Sequence, residues 1–362
     1  MQTIKAAVCR EFGAALTIED ITIAPPGLGE VEVTLDAVAI CHSDISYAEG
    51  AWGGHIPAVY GHEAAGQVTA IGGGVTDFAI GDTVLVTLIR ACGTCPNCAG
   101  GRPTICDTPH DNIAHPLRDA AGEPLMQAMN TGAFAEKVVV DHSQVVAIPA
   151  DMDRATACLL SCGVITGVGG AVNAARLRAG EDVVVIGAGG VGLNAIQGAR
   201  IAGARRIVAV DMTEEKLETA REFGATDGVL ATQPKPWKAA RAALGGRGAD
   251  AVLVTVGALP AYDQAPAYLG WGGRAVMIGM PHAGGKAAYE PMAMSFQGQG
   301  MIGSKMGDVV LRRDIPWLVD LYQQGRLKLD ELISGRWRLD QINEAIADTR
   351  SGGARRNVIL LT

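Results

Sequence analysis

The sequence lacks any run of about 18 apolar residues free of charges or glycine breaks, so a membrane-spanning helix is not predicted. It also lacks a basic excess, because 30 Lys and Arg stand against 38 Asp and Glu and the formal charge is −8. Nucleic acids and anionic membranes are therefore poor candidates for partners. The N-terminus, MQTIKAAVCREFG, has neither the long apolar run nor the cleavage site of a signal peptide. We accordingly expect a cytoplasmic protein.

What the chain does contain is typical of a globular protein. Hydrophobic residues make up 48% and charged residues 19% of its 362 residues, a length that suggests two domains of ordinary size. It has eight cysteines, and in a reducing cytoplasm clustered cysteines indicate metal ligands or catalytic groups rather than disulfides. The cysteines that fall into no cluster or motif are Cys9 and Cys158, for which a packed thiol is the simplest interpretation.

Two patterns of hydrophobicity divide the chain. Residues 1–156 contain short β-type runs such as GEVEVTLDAVAI and AEKVVVD, which predict a β-rich domain. Residues 157–302 alternate apolar strands with helical segments, as in DVVVIG followed by GGVGLNAIQGARIAGA, and this order predicts a doubly wound parallel sheet. Residues 303–362 hold a helical stretch and a last β-run, and we expect them to return to the first domain. The predicted fold class is α/β.

A glycine-rich turn indicates a dinucleotide site. Gly187, Gly189 and Gly192 fit G-x-G-x-x-G between the strand DVVVI and a helical segment. Such glycines allow a tight turn, a close approach of the pyrophosphate and close packing of helix on strand, while the helix N-terminus offers free N–H groups to the phosphates. Asp211 follows Gly192 by 19 residues, at the end of the next strand. Its carboxylate can accept the hydroxyls of the adenosine ribose and would repel a 2′-phosphate, so NAD is favoured over NADP.

Four closely spaced cysteines indicate a structural metal site. Cys92, Cys95, Cys98 and Cys106 form C-x2-C-x2-C-x7-C, and four thiolates can close a tetrahedron around Zn²⁺ with no open position. An iron–sulfur cluster is the alternative, since Cys₄ also suits iron. Nothing else in the sequence indicates electron transfer, so zinc is the better interpretation.

A second, dispersed set consists of Cys41 in AICHSD, His62 in YGHEAAG and Cys162 in LLSCGVITG. Each motif alone is weak, because a single buried cysteine or histidine is usually structural. Together they offer two thiolates and one imidazole, which would leave a fourth position for water or substrate, as in a catalytic zinc site. Alcohol dehydrogenase is itself the usual example of this ligand set, so the set alone is no independent identification.

With these motifs in this order, the chain resembles the zinc-dependent alcohol dehydrogenases of the medium-chain dehydrogenase/reductase superfamily. The resemblance rests on ICHSD, GHEAAG, the four cysteines, LLSCGVITG, GAGGVG with Asp211, and GSKMGD. It implies a GroES-like catalytic domain over 1–156 with a zinc lobe at 92–106, a Rossmann domain over 157–302, and a return to the catalytic domain over 303–362. It further implies an active site in the cleft between the domains, two zinc ions per subunit, NAD, and a homodimer or homotetramer.

The resemblance also implies roles for individual residues. Cys41, His62 and Cys162 would bind the catalytic zinc, Asp44 would orient His62, Glu63 would lie behind the metal, and Ser43 would bond the substrate oxygen. The cofactor would contact a wider set, namely His42, Thr166, Gly187, Gly189, Gly190, Val191, Gly192, Asp211, Lys216, Val256 and Arg356. Trp52 and Leu88 would line an apolar substrate pocket. One departure is Ser46, which stands where many members have the outer histidine of a proton relay.

Two other functions compete with the interconversion of an alcohol and its aldehyde or ketone. The first is oxidation of a formaldehyde adduct of mycothiol or glutathione, an anionic substrate that would need arginines such as Arg90, Arg102 or Arg118 at the pocket mouth. The second is a non-enzymatic role, which some relatives of this fold have, and which complete ligand sets at two metal sites argue against. The physiological substrate, the preferred direction and the choice between dimer and tetramer are not predictable from the sequence.

Overall fold

A computed structural model describes residues 1–113 and 116–361 of the protein. The chain forms two compact units. The first contains Met1–Cys162, Val310–Gln324 and Leu329–Thr362, and the second contains Gly163–Val309 and Gly325–Lys328. Thr362, the last residue of the predicted segment 303–362, lies outside the described residues.

The first part of the chain, up to Cys162, is rich in strands, as its β-type runs predict. The strands are β1 (Gln2–Cys9), β2 (Thr17–Ile23), β3 (Glu30–Ala39), β4 (Ala58–Val59), β5 (Ala64–Ile71), β6 (Thr83–Val86), β7 (Leu117–Arg118), β8 (Pro124–Gln127), β9 (Lys137–Asp141) and β10 (Val145–Ala147). Short helices separate some of them, namely α1 (His42–Ala48), α2 (Pro96–Ala99) and α3 (Arg154–Ala157).

The second unit alternates helices with parallel strands. Its helices are α4 (Gly163–Gly169), α5 (Gly190–Ile201), α6 (Glu214–Phe223), α7 (Pro236–Ala243), α8 (Leu259–Tyr268) and α9 (Pro291–Gln297). Its strands are β11 (Asp182–Ile186), β12 (Arg206–Asp211), β13 (Asp227–Leu230), β14 (Ala249–Val254), β15 (Leu269–Met277) and β16 (Gly300–Gly303), in the spatial order β13-β12-β11-β14-β15-β16. Every residue of β11 is buried, which is typical of a parallel strand covered on both faces and explains the run DVVVI. The predicted α/β class with a parallel sheet is confirmed.

The last part of the chain adds α10 (Leu311–Gln323), β17 (Ile333–Arg338), α11 (Ile342–Ser351) and β18 (Arg356–Leu360) to the first unit. There β1, β2, β7, β8 and β4 close a barrel, and a second sheet has the order β10-β6-β5-β3-β18-β17 with β9 also paired to β3. Residues of both strand sets fill one core, whose largest buried members include Phe134, Leu35, Ile21, Leu117 and Leu125.

No single helix in the described ranges has both the length and the hydropathy to cross a membrane. One bent pair, at 154–161 and 163–174, meets that test by length and composition only.

Candidate metal and dinucleotide sites

Three of the predicted ligands meet in the first unit. The ligand atoms of Cys41, His62, Glu63 and Cys162 all lie within 4.8 Å of one another. Cys41 caps the N-terminus of α1, His62 and Glu63 immediately precede β5, and Cys162 follows a helical turn at 158–161. Donors that are far apart in sequence are thus brought to one point by the ends of strands and helices. The set of two sulfurs and one imidazole nitrogen is that of a zinc site with an open position.

Asp44 holds this set together. Its Oδ2 accepts the backbone N–H of Cys41 at 2.9 Å, and its Oδ1 accepts the N–H of Gly61 at 2.9 Å and lies 3.0 Å from His62 Nδ1. Because a carboxylate can only accept, we assign the proton of the imidazole to Nδ1, which leaves Nε2 as the atom for a metal. The predicted orienting role of Asp44 agrees with this arrangement.

One buried atom of the site, His62 Nε2, is suited to a metal ion. His62 Nε2 is buried and makes no hydrogen bond within the part of the chain that the structure describes. Buried polar atoms are seldom left so, and Zn²⁺ would satisfy this one. Without metal, burial lowers the pKa of His62, but the carboxylate of Asp44 more than offsets this effect and the pKa stands well above its usual value. Zn²⁺ would therefore displace protons as it binds.

The thiols of Cys41 and Cys162 differ in their pKa. A hydrogen bond from Cys162 holds the pKa of Cys41 well below its usual value, and the same bond, together with burial, raises the pKa of Cys162. The lowered pKa of Cys41 favours the thiolate that a metal ion binds, and Zn²⁺ would also displace the proton of Cys162.

Behind these ligands lies a buried ion pair. Arg356 Nη2 is 2.5 Å from Glu63 Oε1, and the two side chains are 6% and 0% exposed. Burial raises the pKa of Glu63 to about 7 even though the guanidinium acts to lower it. The structure therefore places the Arg356 side chain inside the first unit, at the first residue of β18. Its contact with a cofactor pyrophosphate stays a prediction.

The four-cysteine segment forms a second cluster. The sulfurs of Cys92, Cys95, Cys98 and Cys106 lie within 4.8 Å of one another. Backbone N–H groups point at them, with Cys95 N 3.2 Å from Cys92 Sγ and Cys98 N 3.4 Å from Cys95 Sγ. Hydrogen bonds from the Thr108 side chain, from the backbone N–H groups of Cys95 and Thr94 and from the Thr94 hydroxyl lower the pKa of Cys92 to about 5. Burial instead raises the pKa of Cys98 to about 12, so a metal ion would have to displace its proton. Four convergent sulfurs with no oxygen or imidazole ligand suit a closed structural site.

The other predicted residues of the first unit lie near α1 or just after β6. Ser43 and Ser46 are half-buried on α1, while His42 is exposed at its first turn. Trp52 is half-buried, and its ring meets that of Tyr47 edge-on with centroids 5.1 Å apart. Leu88 is half-buried just after β6. Tyr47 had no sequence signal, because an aromatic residue on an amphipathic helix usually belongs to the core.

The glycine-rich turn has the geometry that its spacing predicts. Gly187 follows β11 with φ +98°, and a Cβ at Gly192 would lie 1.8 Å from the carbonyl oxygen of Gly187, so only glycine fits there. A Cβ at Gly189 would meet nothing within 4 Å, so that side of the turn is open. The first N–H groups of α5 can therefore be approached by a phosphate. Thr255, which no sequence motif singles out, donates its hydroxyl to the carbonyl of Gly187 at 2.9 Å and stiffens the turn.

Asp211 closes this turn from the next strand. Its Oδ2 accepts the N–H of Ala188 at 2.6 Å and its Oδ1 accepts that of Met212 at 2.7 Å. Lys216 Nζ is 4.0 Å from Oδ1, and the Asp211 side chain is 7% exposed. Asp211 therefore stabilises the turn, and its contact with ribose hydroxyls stays a prediction.

The remaining predicted cofactor residues all lie in the second unit. Gly190 and Val191 are half-buried at the start of α5, Thr166 is buried in α4, and Val256 is 37% exposed after β14. The Thr166 hydroxyl lies 3.7 Å from the sulfur of Met306. Met306 and Asp308 both have positive φ, at 54° and 50°, in the motif GSKMGD. Strain of this kind in non-glycine residues is concentrated at functional sites.

Comparisons with known proteins identify the family of the chain. Residues 27–150 match the family model of the alcohol dehydrogenase GroES-like domain, and residues 190–324 match that of the zinc-binding dehydrogenase. The predicted GroES-like domain is thereby confirmed. An NDMA-dependent alcohol dehydrogenase of Amycolatopsis methanolica is 34% identical over 98% of each chain.

Solved structures are similar over the whole chain. Benzyl alcohol dehydrogenase from Acinetobacter calcoaceticus is 30% identical, with a TM-score of 0.94 and all of both chains covered. A structure described as a zinc-binding dehydrogenase from Sinorhizobium meliloti 1021, bound to NADP, is 26% identical with a TM-score of 0.84 and the same coverage.

Proposed function

This chain belongs to the zinc-dependent alcohol dehydrogenases of the medium-chain dehydrogenase/reductase superfamily, and from that membership we propose that it oxidises a small alcohol to its aldehyde or ketone with NAD. The observation that carries the proposal is the convergence of Cys41, His62 and Cys162, with the buried Nε2 of His62 free of any hydrogen bond in the described chain. Zn²⁺ there supplies a Lewis acid that lowers the pKa of an alcohol, and NAD supplies the hydride acceptor.

The chain's own residues would divide the remaining work. Asp44 fixes the ring and tautomer of His62, so that one nitrogen always faces the metal position. Ser43, two residues after Cys41, would accept the proton that leaves the alcohol hydroxyl. The Glu63–Arg356 pair places a buried charge of each sign behind the ligands, which limits the net charge that the site must bear.

We propose NAD rather than NADP because of Asp211. A carboxylate at the end of β12 would accept ribose hydroxyls, whereas it would repel a 2′-phosphate. Lys216, 4.0 Å away, would partly offset this repulsion. The NADP-bound relative from Sinorhizobium meliloti shows that the two cofactors must be compared directly.

For the substrate we propose an alcohol with an apolar carbon skeleton. Trp52 and Leu88 are half-buried apolar side chains in the unit that holds Ser43 and the ligands. Benzyl alcohol is a first compound to test, because a relative similar over its whole length is named for it. The formaldehyde-adduct alternative is not favoured, since neither the Amycolatopsis nor the Acinetobacter relative is named for such an adduct. Its candidate arginines also have local partners, and Arg90, for example, pairs with Asp141 at 3.3 Å.

The decisive experiment is a screen of NAD reduction with primary, secondary, aromatic and thiol-adduct alcohols. The wild type should reduce NAD with at least one simple alcohol, and Cys162→Ala should not. Cys158→Ala is the matched control, because Cys158 is a buried thiol that bonds the carbonyl of Ala155 and belongs to neither ligand cluster. Activity that survives in Cys162→Ala would contradict the proposed site.

We further propose a cytoplasmic homo-oligomer formed through the second unit. The strand β16 lies at the edge of its sheet, and an unpaired edge is a template for another strand. Trp271 and Phe296 in the same unit are 70% and 72% exposed, with ring centroids 5.4 Å apart. Light scattering should give the mass of a dimer or tetramer, and a monomer at micromolar concentration would refute the proposal.

A further inference from the structure

Three aromatic side chains of the first unit form what we call the aromatic cluster, namely Tyr60, Tyr47 and Trp52. The rings of Tyr47 and Tyr60 are nearly parallel, at 17°, with centroids 6.5 Å apart. The rings of Tyr47 and Trp52 are nearly perpendicular, at 86°, with centroids 5.1 Å apart. Tyr47 thus lies between a ring in the core and a ring closer to the surface.

The inner end of the aromatic cluster is rigid. Tyr60 is 2% exposed, and its hydroxyl donates to the carbonyl oxygen of Tyr47 at 3.3 Å. It follows directly on β4, which pairs with β1, and it stands two residues before His62. The N–H of Gly61, the residue between them, is held by Asp44. The position of Tyr47 is therefore tied to the same frame that holds the metal ligands.

The outer end of the aromatic cluster lies in a turn. Trp52 follows α1 in a turn in which Ala51 N bonds Ser46 O at 2.9 Å, while residues 53–55 beyond it are exposed. An edge-to-face contact is directional, so the ring of Tyr47 favours one orientation of the Trp52 ring.

We propose that Tyr47 is a positioning residue that fixes the Trp52 ring and thereby sets the size of alcohol that the enzyme accepts. Tyr47 and Ser43 are four residues apart on α1 and so lie on one face of that helix, which places the aromatic cluster beside the hydroxyl proposed to meet the substrate. The inference rests on the proposed function, because it takes Trp52 as a wall of the pocket. Tyr47 acts through Trp52 and touches neither substrate nor metal.

The kinetic test compares kcat/KM for 2-methylpropan-1-ol with that for ethanol. Tyr47→Leu should raise this ratio about three- to tenfold, because losing a ring contact of this kind changes the relative populations of the Trp52 ring orientations by about that factor. Tyr47→Phe keeps the ring and should keep the wild-type ratio. In the double variant Tyr47→Leu/Trp52→Ala the ratio should equal that of Trp52→Ala alone, because in this proposal Tyr47 affects substrate size only through Trp52.

Two kinetic outcomes would overturn the proposal. One is an unchanged ratio in Tyr47→Leu, with both alcohols slowed equally, which is what a purely structural role predicts. The other is an equal effect of Tyr47→Leu on this ratio in the wild type and in the Trp52→Ala variant. If Tyr47→Leu does not fold, Tyr47→Met, which fills similar space with a flexible chain, takes its place.

A spectroscopic test separates this inference from the proposed function. In protein labelled with 5-fluorotryptophan, the resonance of Trp52 is identified by its loss in Trp52→Phe. It should shift or broaden in Tyr47→Leu and stay in place in Tyr47→Phe, whether or not any alcohol is oxidised. A resonance that Tyr47→Leu leaves unchanged refutes the positioning role. A protein that shows the shift but oxidises no alcohol refutes the proposed function and with it the link to substrate size.

Discussion

Replacing Asp211 with asparagine should narrow the preference for NAD over NADP. Two unit charges about 4 Å apart interact by about 4 kcal/mol at an effective dielectric constant of about 20. Lys216, 4.0 Å from the carboxylate, offsets part of this repulsion toward a 2′-phosphate, and about 2 kcal/mol remains as a net penalty on NADP. The asparagine also weakens the bond to the ribose of NAD by about 1 kcal/mol, since bonds to charged groups are the stronger ones. The ratio of efficiencies should then fall roughly hundredfold.

A second substitution at Asp211 separates the effect of its charge from the effect of its hydrogen bonds to the turn. Asparagine retains an oxygen that can accept the N–H of Ala188, whereas Asp211→Gly removes that acceptor and loosens the glycine-rich turn. Asp211→Gly should therefore weaken the binding of both cofactors, and it should narrow the preference for NAD over NADP mainly by weakening the binding of NAD. The assay is kcat/KM for each cofactor at a saturating alcohol concentration. Equal efficiency with NAD and NADP in the wild type, or a ratio unchanged in Asp211→Asn, would refute the reasoning.

The remaining predictions concern the metal ions, the proton and the pocket. Elemental analysis should find about two Zn per chain. Cys162→Ala should abolish turnover but not folding, whereas Cys98→Ala should lower thermal stability. Normal activity in Cys162→Ala would contradict the assignment of the catalytic zinc site. Ser43→Ala should slow single-turnover hydride transfer by about 10²–10⁴, while Ser46→Ala, which loses a hydroxyl from the same helix, should change it little. Trp52→Ala should raise kcat/KM for branched alcohols relative to ethanol, and a loss of stability without a change in relative rates would remove Trp52 from the pocket.

Features encoded within one stretch of chain were the ones that could be predicted. β11, the turn at Gly187 and α5 form a single strand–turn–helix segment, where spacing alone determines which atoms meet. The four cysteines of the lobe lie within 15 residues, so their convergence needs only a short loop. The enzyme class, which the motifs and the resemblance predicted, is confirmed by the family models.

Local patterns do not predict side-chain partners across long separations, and those that were predicted, such as Asp44 with His62, came from the resemblance. Arg356 pairs with Glu63 because β18 joins β3 in the sheet of the first unit, and no local pattern contains that pairing. The edge-to-face contact of Tyr47 and Trp52 depends on rotamers that the sequence does not specify. Short strands such as β4 and β7 were also not predicted, since two residues are too few to show the alternation of a strand.

Asp44 explains how dispersed ligands become one site. Cys41 lies at the start of α1 and His62 just before β5, so their separation would otherwise depend on how two elements pack. One buried carboxylate bonds the backbone of Cys41, the backbone of Gly61 and the ring of His62. Because these hydrogen bonds are all near 3 Å long, they fix the separation of the two ligands. Rigid contacts of this kind hold a ligand in place before the metal arrives. Since these ligands and Cys162 all belong to the first unit, the geometry of the predicted metal site follows from that unit's own fold, whereas Asp211, on which the proposed preference for NAD rests, belongs to the second unit.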